Sequence, residues 1–381
     1  MAKQAYVYSG TEWVPLASEV TNLSAYQTKA LNQYPYRNIL INGAMQVCQR
    51  STSTASITSD TYGATDRWRF LPLTQGTWTM SQENDAPTGS GFRKSTKVLC
   101  TTADASPAAG DYVRLDQRIE GQNLQHIKKG TAAAEQLTLS FWVKSNVTGT
   151  YIARFYDNDN NRIVSKSYTI NSSGVWEYKT ITFPADTTGP LDNDNDVSLI
   201  LIFMLGAGSD FTSGTLATTW QSYTAANAAP GQVNLASATN NYWQITGVQL
   251  EVGDTATPFE FKSFDKDLDE CERYFQKSYA YSAVPGTGTH YNASVTGRAT
   301  TTSILHAFGG RFPKRMRTAP TMKIYHQDGT LNAVYQINDG SKDTITGVSY
   351  AEDTGYWYIG ASGTLTAGEH YYWQHTADAE L

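Results

Sequence analysis

Few residues in this chain have the types and spacing that reaction chemistry needs. Asp157-Asn-Asp-Asn-Asn161 alternates side-chain oxygens as a calcium loop does, yet it lacks Gly at the sixth place and carries Tyr168 where a bidentate Glu belongs. Asp192-Asn-Asp-Asn-Asp196 departs from the pattern in the same way, with Phe203 at the corresponding place. Both runs read as turns between strands, rich in residues that bond their own backbone. No cofactor is implied, although oxygen-rich turns of this kind leave room for a loop calcium ion. His126, His290, His306, His326, His370 and His375 are scattered, and H-E-x-x-H, G-x-S-x-G and the phosphate-cradling Gly pattern are all missing. Cys48, Cys100 and Cys271 lie far apart, form no C-x-x-C pair and are expected as buried thiols. With no catalytic and no metal-ligating set in view, the chain is read as a non-enzyme.

Aromatic rings beside polar groups are the remaining chemical signal. A pyranose binds through flat rings against its C–H face and through hydrogen-bonding groups around its hydroxyls. Trp142 with Lys144, Arg154 with Tyr156, and Trp220 with Tyr223 offer that combination, so Trp142, Arg154, Tyr156, Trp220 and Tyr223 are the candidate carbohydrate-binding residues. The competing role for any of these rings is packing, which is what we expect of Trp176 and Trp243. Tyr350, Tyr356, Trp357, Tyr371, Tyr372 and Trp373 form a second aromatic concentration, suited to a subunit interface or a receptor surface.

The elements that must position these side chains are strands. Charged residues make up 17% of the 381 residues and aromatics 12%, with 24 Tyr and 30 Gly, which favours β-structure and turns over helices. Leu137, Leu139, Phe141 and Val143 share one face of a strand, with Thr138, Ser140, Trp142 and Lys144 on the other. Val197 to Leu205 is apolar on both faces, as a central strand should be. Trp243, Ile245, Val248, Leu250 and Val252 form another strand, in which Gly247 marks a bulge. After Ser263 the period changes. Phe264, Leu268, Cys271 and Phe275 recur at helical spacing, with acids early and Arg273 and Lys277 late. The spacing predicts a mostly β chain in four parts: a leader over 1–37, a β-sandwich over 38–262, a linking helix over 263–278 and a second β-sandwich-like domain over 279–381. Between Gly206 and Thr239 strand signals fade, as in an insertion or a functional loop. In the leader, Ala5-Tyr-Val-Tyr8 and Trp13-Val-Pro-Leu16 predict a hairpin too small to stand alone, and 20–32 carries a loose helical pattern.

The formal net charge of −6 and the lack of a dense Lys/Arg cluster argue against nucleic acid as a partner. No apolar run is long enough to predict membrane insertion, and no charged-then-apolar leader opens the chain, so synthesis in a host cytoplasm is expected.

Three stretches also resemble a known family. Trp243-Gln-Ile-Thr-Gly-Val-Gln-Leu-Glu-Val-Gly-Asp254, continued by Ala256-Thr-Pro-Phe-Glu260 and Cys271-Glu-Arg-Tyr-Phe275, is similar to a block found in tailed-phage tail fibres and other virion appendages. Asn38-Ile-Leu-Ile-Asn-Gly-Ala-Met-Gln-Val-Cys-Gln-Arg50 with Asp66-Arg-Trp68 resembles the opening of that family's jelly-roll domain, and Thr376-Ala-Asp-Ala-Glu-Leu381 its terminal segment. The resemblance implies a jelly roll like those of carbohydrate-binding modules, a place in the virion and a host-surface glycan as partner. It also implies a homotrimer and an N-terminal attachment segment presenting Tyr6, Tyr8, Trp13 and Leu16 to phage tail or other virion proteins. A capsid-decorating or head-fibre protein and a glycan depolymerase are the alternatives.

Overall fold

The computed structural model describes residues 6–8, 13–15, 36–288, 295–308 and 310–381. In the leader, strands β1 (Tyr6–Tyr8) and β2 (Trp13–Pro15) pair antiparallel with Tyr8 opposite Trp13. Leu16 and the expected helical segment over 20–32 lie outside the described residues.

The body of the chain from Ser53 to Val252 is two packed antiparallel sheets. Its strands are β3 (Ser53–Ile57), β4 (Thr61–Tyr62), β5 (Arg69–Leu73), β6 (Thr77–Glu83), β7 (Ser95–Thr102), β8 (Tyr112–Glu120), β9 (Leu137–Ser145), β10 (Gly149–Asp157), β11 (Arg162–Ile170), β12 (Glu177–Phe183), β13 (Val197–Ala207), β14 (Gln221–Ser222) and β15 (Tyr242–Val252). One sheet runs β14-β11-β10-β13-β8-β5-β4 and the other β12-β9-β15-β7-β6-β3, so consecutive strands cross between layers as in a jelly roll. Alternation decides what faces inward. Leu139, Phe141 and Val143 of β9 are fully buried against Tyr151, Ala153 and Phe155 of β10. Phe203 sits among Trp68, Phe141 and Trp243, at ring distances of 6.4, 5.1 and 5.5 Å. Burying each such side chain contributes about 1.5–3 kcal/mol.

β13 does lie centrally, and its second apolar face has a cover. Leu199, Leu201, Phe203 and Leu205 point into the sandwich, whereas Ile200, Ile202 and Met204 point away from it and are equally buried. Residues 208–233 lie over that outer face. Their backbone is tied to the sheet from Ser165 N to Ala217 O (2.7 Å) and from Val233 N to Thr150 O (2.9 Å). The stretch without strand signals is therefore a cover built of short turns. On β15, Gly247 takes φ +61° where the register with β9 skips between Thr246 and Gln249, and a Cβ there would fall 2.5 Å from the Phe92 ring.

The helix is shorter than its spacing predicted. Ser263 caps it, Asp265 and Asp267 occupy its first turn, and it ends at Glu272. Phe275 belongs to a new strand, β16 (Phe275–Lys277), because its backbone pairs with Asp378. Strands β17 (Val295–Ala299), β18 (Ile304–Phe308), β19 (Thr321–Tyr325), β20 (Ala333–Gln336), β21 (Lys342–Glu352), β22 (Gly355–Ala361) and β23 (His370–Asp378) complete the second domain. Its sheet runs β16-β23-β17-β18-β22-β21-β20, and β20 returns to pair with β23, Tyr335 opposite Tyr372. This sheet thus closes on itself into a barrel-like form. Tyr356, Tyr371 and Trp373 fill its interior, and Tyr372 is also buried. Of the aromatic concentration seen in the sequence, Trp357 points outward, 57% exposed.

Candidate functional site

The structure brings together three of the five candidate sugar-binding residues. Arg154 and Tyr156 project from β10 onto the outer face of the seven-stranded sheet, and the cover places Tyr223 beside them. The Tyr156 and Tyr223 rings meet edge to face at 5.4 Å, and the Arg154 guanidinium carbon lies 6.0 Å from the Tyr223 centroid. Burial and the nearby Arg114 charge push the Arg154 pKa down to about 10, so it stays cationic at neutral pH.

Trp220 belongs elsewhere. It stacks on Phe155 at 6.5 Å and 20°, donates from Nε1 to Pro184 O at 2.9 Å and packs against the sandwich core. Trp142 stands on the opposite sheet, with its indole outward. β9 and β12 pair so that Trp142 lies across from Tyr178, and their rings are 5.3 Å apart. Trp176, which we expected to pack, adds a third ring to this face. Its Nε1 donates to Asp85 at 3.1 Å, Lys144 lies 5.2 Å from its ring and ion-pairs with Asp85, and Gln244 donates to Asp85 at 3.3 Å. Partial burial would raise the Asp85 carboxyl, but the hydrogen bonds from Lys144 and Trp176 outweigh it and hold the group below its usual range. Tyr178 is 46% exposed and Trp142 and Trp176 are half-buried, so three rings share one accessible surface with Lys144 and Asp85, and the buried Gln244 steadies Asp85 from beneath.

The motif residues do something different: they tie the opening loop and the exit segment to β15 and build the joint between the two domains. Asn38 accepts from Leu40 N and Leu250 N (3.1 and 3.0 Å) and donates to Val248 O (3.0 Å), which locks the opening loop to β15. Glu251 accepts from Thr257 N at 2.9 Å, and Gln249 accepts from Glu260 N at 2.8 Å, folding the exit segment back along the strand. Gln49 bridges Asp66 (2.7 Å) and Phe275 O (2.9 Å). Arg67 lies 3.4 Å above the Tyr274 ring and pairs with Glu380. Arg50 lies 3.8 Å over Phe275 and reaches Asp378 at 3.0 Å and Glu380 at 3.3 Å. Glu120 accepts from Arg273 at 2.8 and 2.6 Å and from the Tyr274 hydroxyl. Burial would raise the Glu120 carboxyl, yet the Arg273 and Tyr274 hydrogen bonds keep it below the ordinary range. Beside this joint opens a cleft of about 620 Å³, lined by Arg50, Tyr62, Phe275, Lys323, Tyr325 and Asp378.

The oxygen-rich turns are held by other partners. Asp157 is buried against Lys129 and accepts from Asn160, and Asp159 accepts from Asp192 N at 2.9 Å. Among the described residues, no group of three or more His, Cys, Asp or Glu side chains is placed to hold a metal ion.

No family model and no curated protein matches this chain. Solved structures do. The enzymatically active domain of tailspike protein 4 from bacteriophage CBA120 aligns over 57% of this chain and 22% of its own, at 17% identity and a TM-score of 0.32. A CBM4 structure aligns over 55% of this chain and 97% of its own, at 12% identity and a TM-score of 0.30. A family 11 carbohydrate-binding module from Clostridium thermocellum, in complex with a β-1,3-1,4-mixed-linked tetrasaccharide, aligns over 54% and 98%, at 11% identity and a TM-score of 0.28.

Proposed function

We propose that this protein is a non-enzymatic structural component of a tailed-phage virion, a tail fibre whose jelly roll recognises a glycan on the host surface. The observation that carries the recognition role is the outward trio of Trp142, Trp176 and Tyr178 with Lys144, Asp85 and Gln244 around it. A sandwich needs no aromatic rings on its outer face for its own core, and an accessible cluster of them with fixed polar neighbours suits a sugar ring. The virion role rests on the motif blocks, and the leader strands β1 and β2 are its attachment point. Trimeric assembly would set several weak sites on one stem and raise avidity through effective concentration.

Trp142→Ala tests the recognition site. Adsorption of the purified chain to host cells should fall about tenfold or more, since a stacked ring contributes about 1.5 kcal/mol, while the melting temperature stays nearly unchanged. Undiminished adsorption would refute the platform. Labelled electron microscopy of virions tests the location: label on the head would make this a decorating protein, and shortened host polysaccharide after incubation would make it a depolymerase. Sedimentation as a monomer would overturn the trimer.

A further inference from the structure

The outer face of the seven-stranded sheet holds a row of charge that its own residues leave uncompensated. In register across the sheet, Arg154 lies opposite Ile202, Ile202 opposite Asp116 and Asp116 opposite Arg69. Arg114 and Arg118 flank Asp116 on the same strand and the same face. Asp116 is fully engaged: Arg69 grips it at 2.9 and 2.8 Å, and Arg114 Nε approaches at 3.0 Å. Asp60 pairs with Arg69 at 2.9 Å. Arg118 donates to Leu381 O, and Asp116 and Asp60 serve Arg69 and Arg114.

Arg154 is left over. Its side chain is buried, 4% exposed, and both Nε and Nη1 are without a hydrogen-bond partner among the described residues. The Tyr223 ring at 6.0 Å offers a weak substitute for a counter-charge. A buried, unpaired guanidinium is a costly state that an anion relieves, and a planar carboxylate matches its donors best. A phosphate dianion fits less well, because Asp116 remains in the same row. Arg114 and Tyr156, on either side of Arg154, are half-buried and carry the row towards solvent.

We propose that this row is an anion subsite that takes the carboxylate of an acidic sugar, so that the glycan bound by this protein contains uronate-type residues. The sugar ring would lie against Tyr156 and Tyr223, which already meet edge to face. This inference rests on the glycan reading but not on the Trp142 surface, which belongs to the other sheet.

Calorimetric titration of the full chain with an oligogalacturonate and with its carboxyl-reduced, neutral form tests it. The acidic oligomer should bind about tenfold or more tightly than the neutral one, as expected of one charge-assisted contact. Arg154→Met, which keeps the apolar stem, should abolish that preference and raise the melting temperature. Trp142→Ala should keep the preference. If the two oligomers bind alike, or the preference survives in Arg154→Met, the acidic-sugar assignment is wrong while glycan binding stands. If neither oligomer binds, both fall. Inorganic phosphate that competes as well as the uronate would assign the row to a small anion and overturn the sugar.

Discussion

Removing Arg67 while keeping Glu380 asks how strongly the joint holds the barrel to the jelly roll. Both side chains are buried, 1% and 5% exposed, and Arg67 also donates to Arg118 O at 2.8 Å. In Arg67→Met the Glu380 carboxylate would retain Arg50 at 3.3 Å, a cation already shared with Asp378 and Asp66. Breaking a buried pair from one side costs about 3–5 kcal/mol, and the remaining Arg50 contact puts the expected loss near the lower end, about 3 kcal/mol. Loss of the guanidinium from the Tyr274 face adds about 1–2 kcal/mol, part of which the Met thioether restores. Glu380→Gln should cost less, about 1–2 kcal/mol, because an amide oxygen can still accept from Arg67. The double variant should lose about 2 kcal/mol less than the sum of the two single losses, because both single variants already forfeit the same direct contact. Equilibrium denaturation gives the global values. Hydrogen exchange locates them, since amides of β16 and β23 should open before those of β13. A loss under about 1 kcal/mol in Arg67→Met, or strict additivity of the two changes, would refute the joint as an energetic coupling.

Two further outcomes follow from groups inside the domains. Burial pushes the His375 pKa from 6.5 down to about 4, so the folded chain keeps the imidazole neutral, 3.2 Å from the Tyr356 hydroxyl. Between those values the unfolded state binds the proton and the folded state does not. Stability should therefore fall as pH drops through this window, by about 3 kcal/mol in total, and His375→Gln should flatten that dependence; an unchanged pH profile would refute it. Trp220→Ala should cost about 3 kcal/mol in denaturant titrations, because a partly buried ring stacked on Phe155 is lost, while oligosaccharide affinity stays the same; lost affinity at full stability would return Trp220 to the binding site.

Local periodicity carried the sandwich, and longer-range pairing carried what the sequence did not reveal. The alternation in β9 and the bulge at Gly247 are short-range signals that depend on two or three neighbours, so they could be read directly. The two apolar faces of β13 announced a central strand, but its cover could not be read. Phe211, Leu216, Ala228 and Ala229 follow no period, and they gain meaning only from the sheet beneath. Phe275 fitted a helical repeat by coincidence, since one residue at i+4 satisfies that period as well as the start of a strand does. Its pairing with Asp378 decided the matter. The Trp142 surface was half legible for the same reason. Trp142 and Tyr178 meet because β12 returns to β9 after β10 and β11 have been laid in the other sheet, and no hairpin signal marks such a crossing.

The residues of the three sequence blocks hold the fold together, and the structure gives a physical reason. Asn38, Gln49, Arg50, Arg67, Tyr274 and Glu380 are each tied to partners far along the chain, so a change in any one leaves a buried polar group unpaired. That cost fixes such residues wherever two such domains must meet, whatever the protein binds. Rings on an outer sheet face carry no such penalty and can be exchanged to suit a different surface. The joint residues are therefore held in place by their buried partners, whereas the rings of the Trp142 surface are held by few and can change without cost to the core.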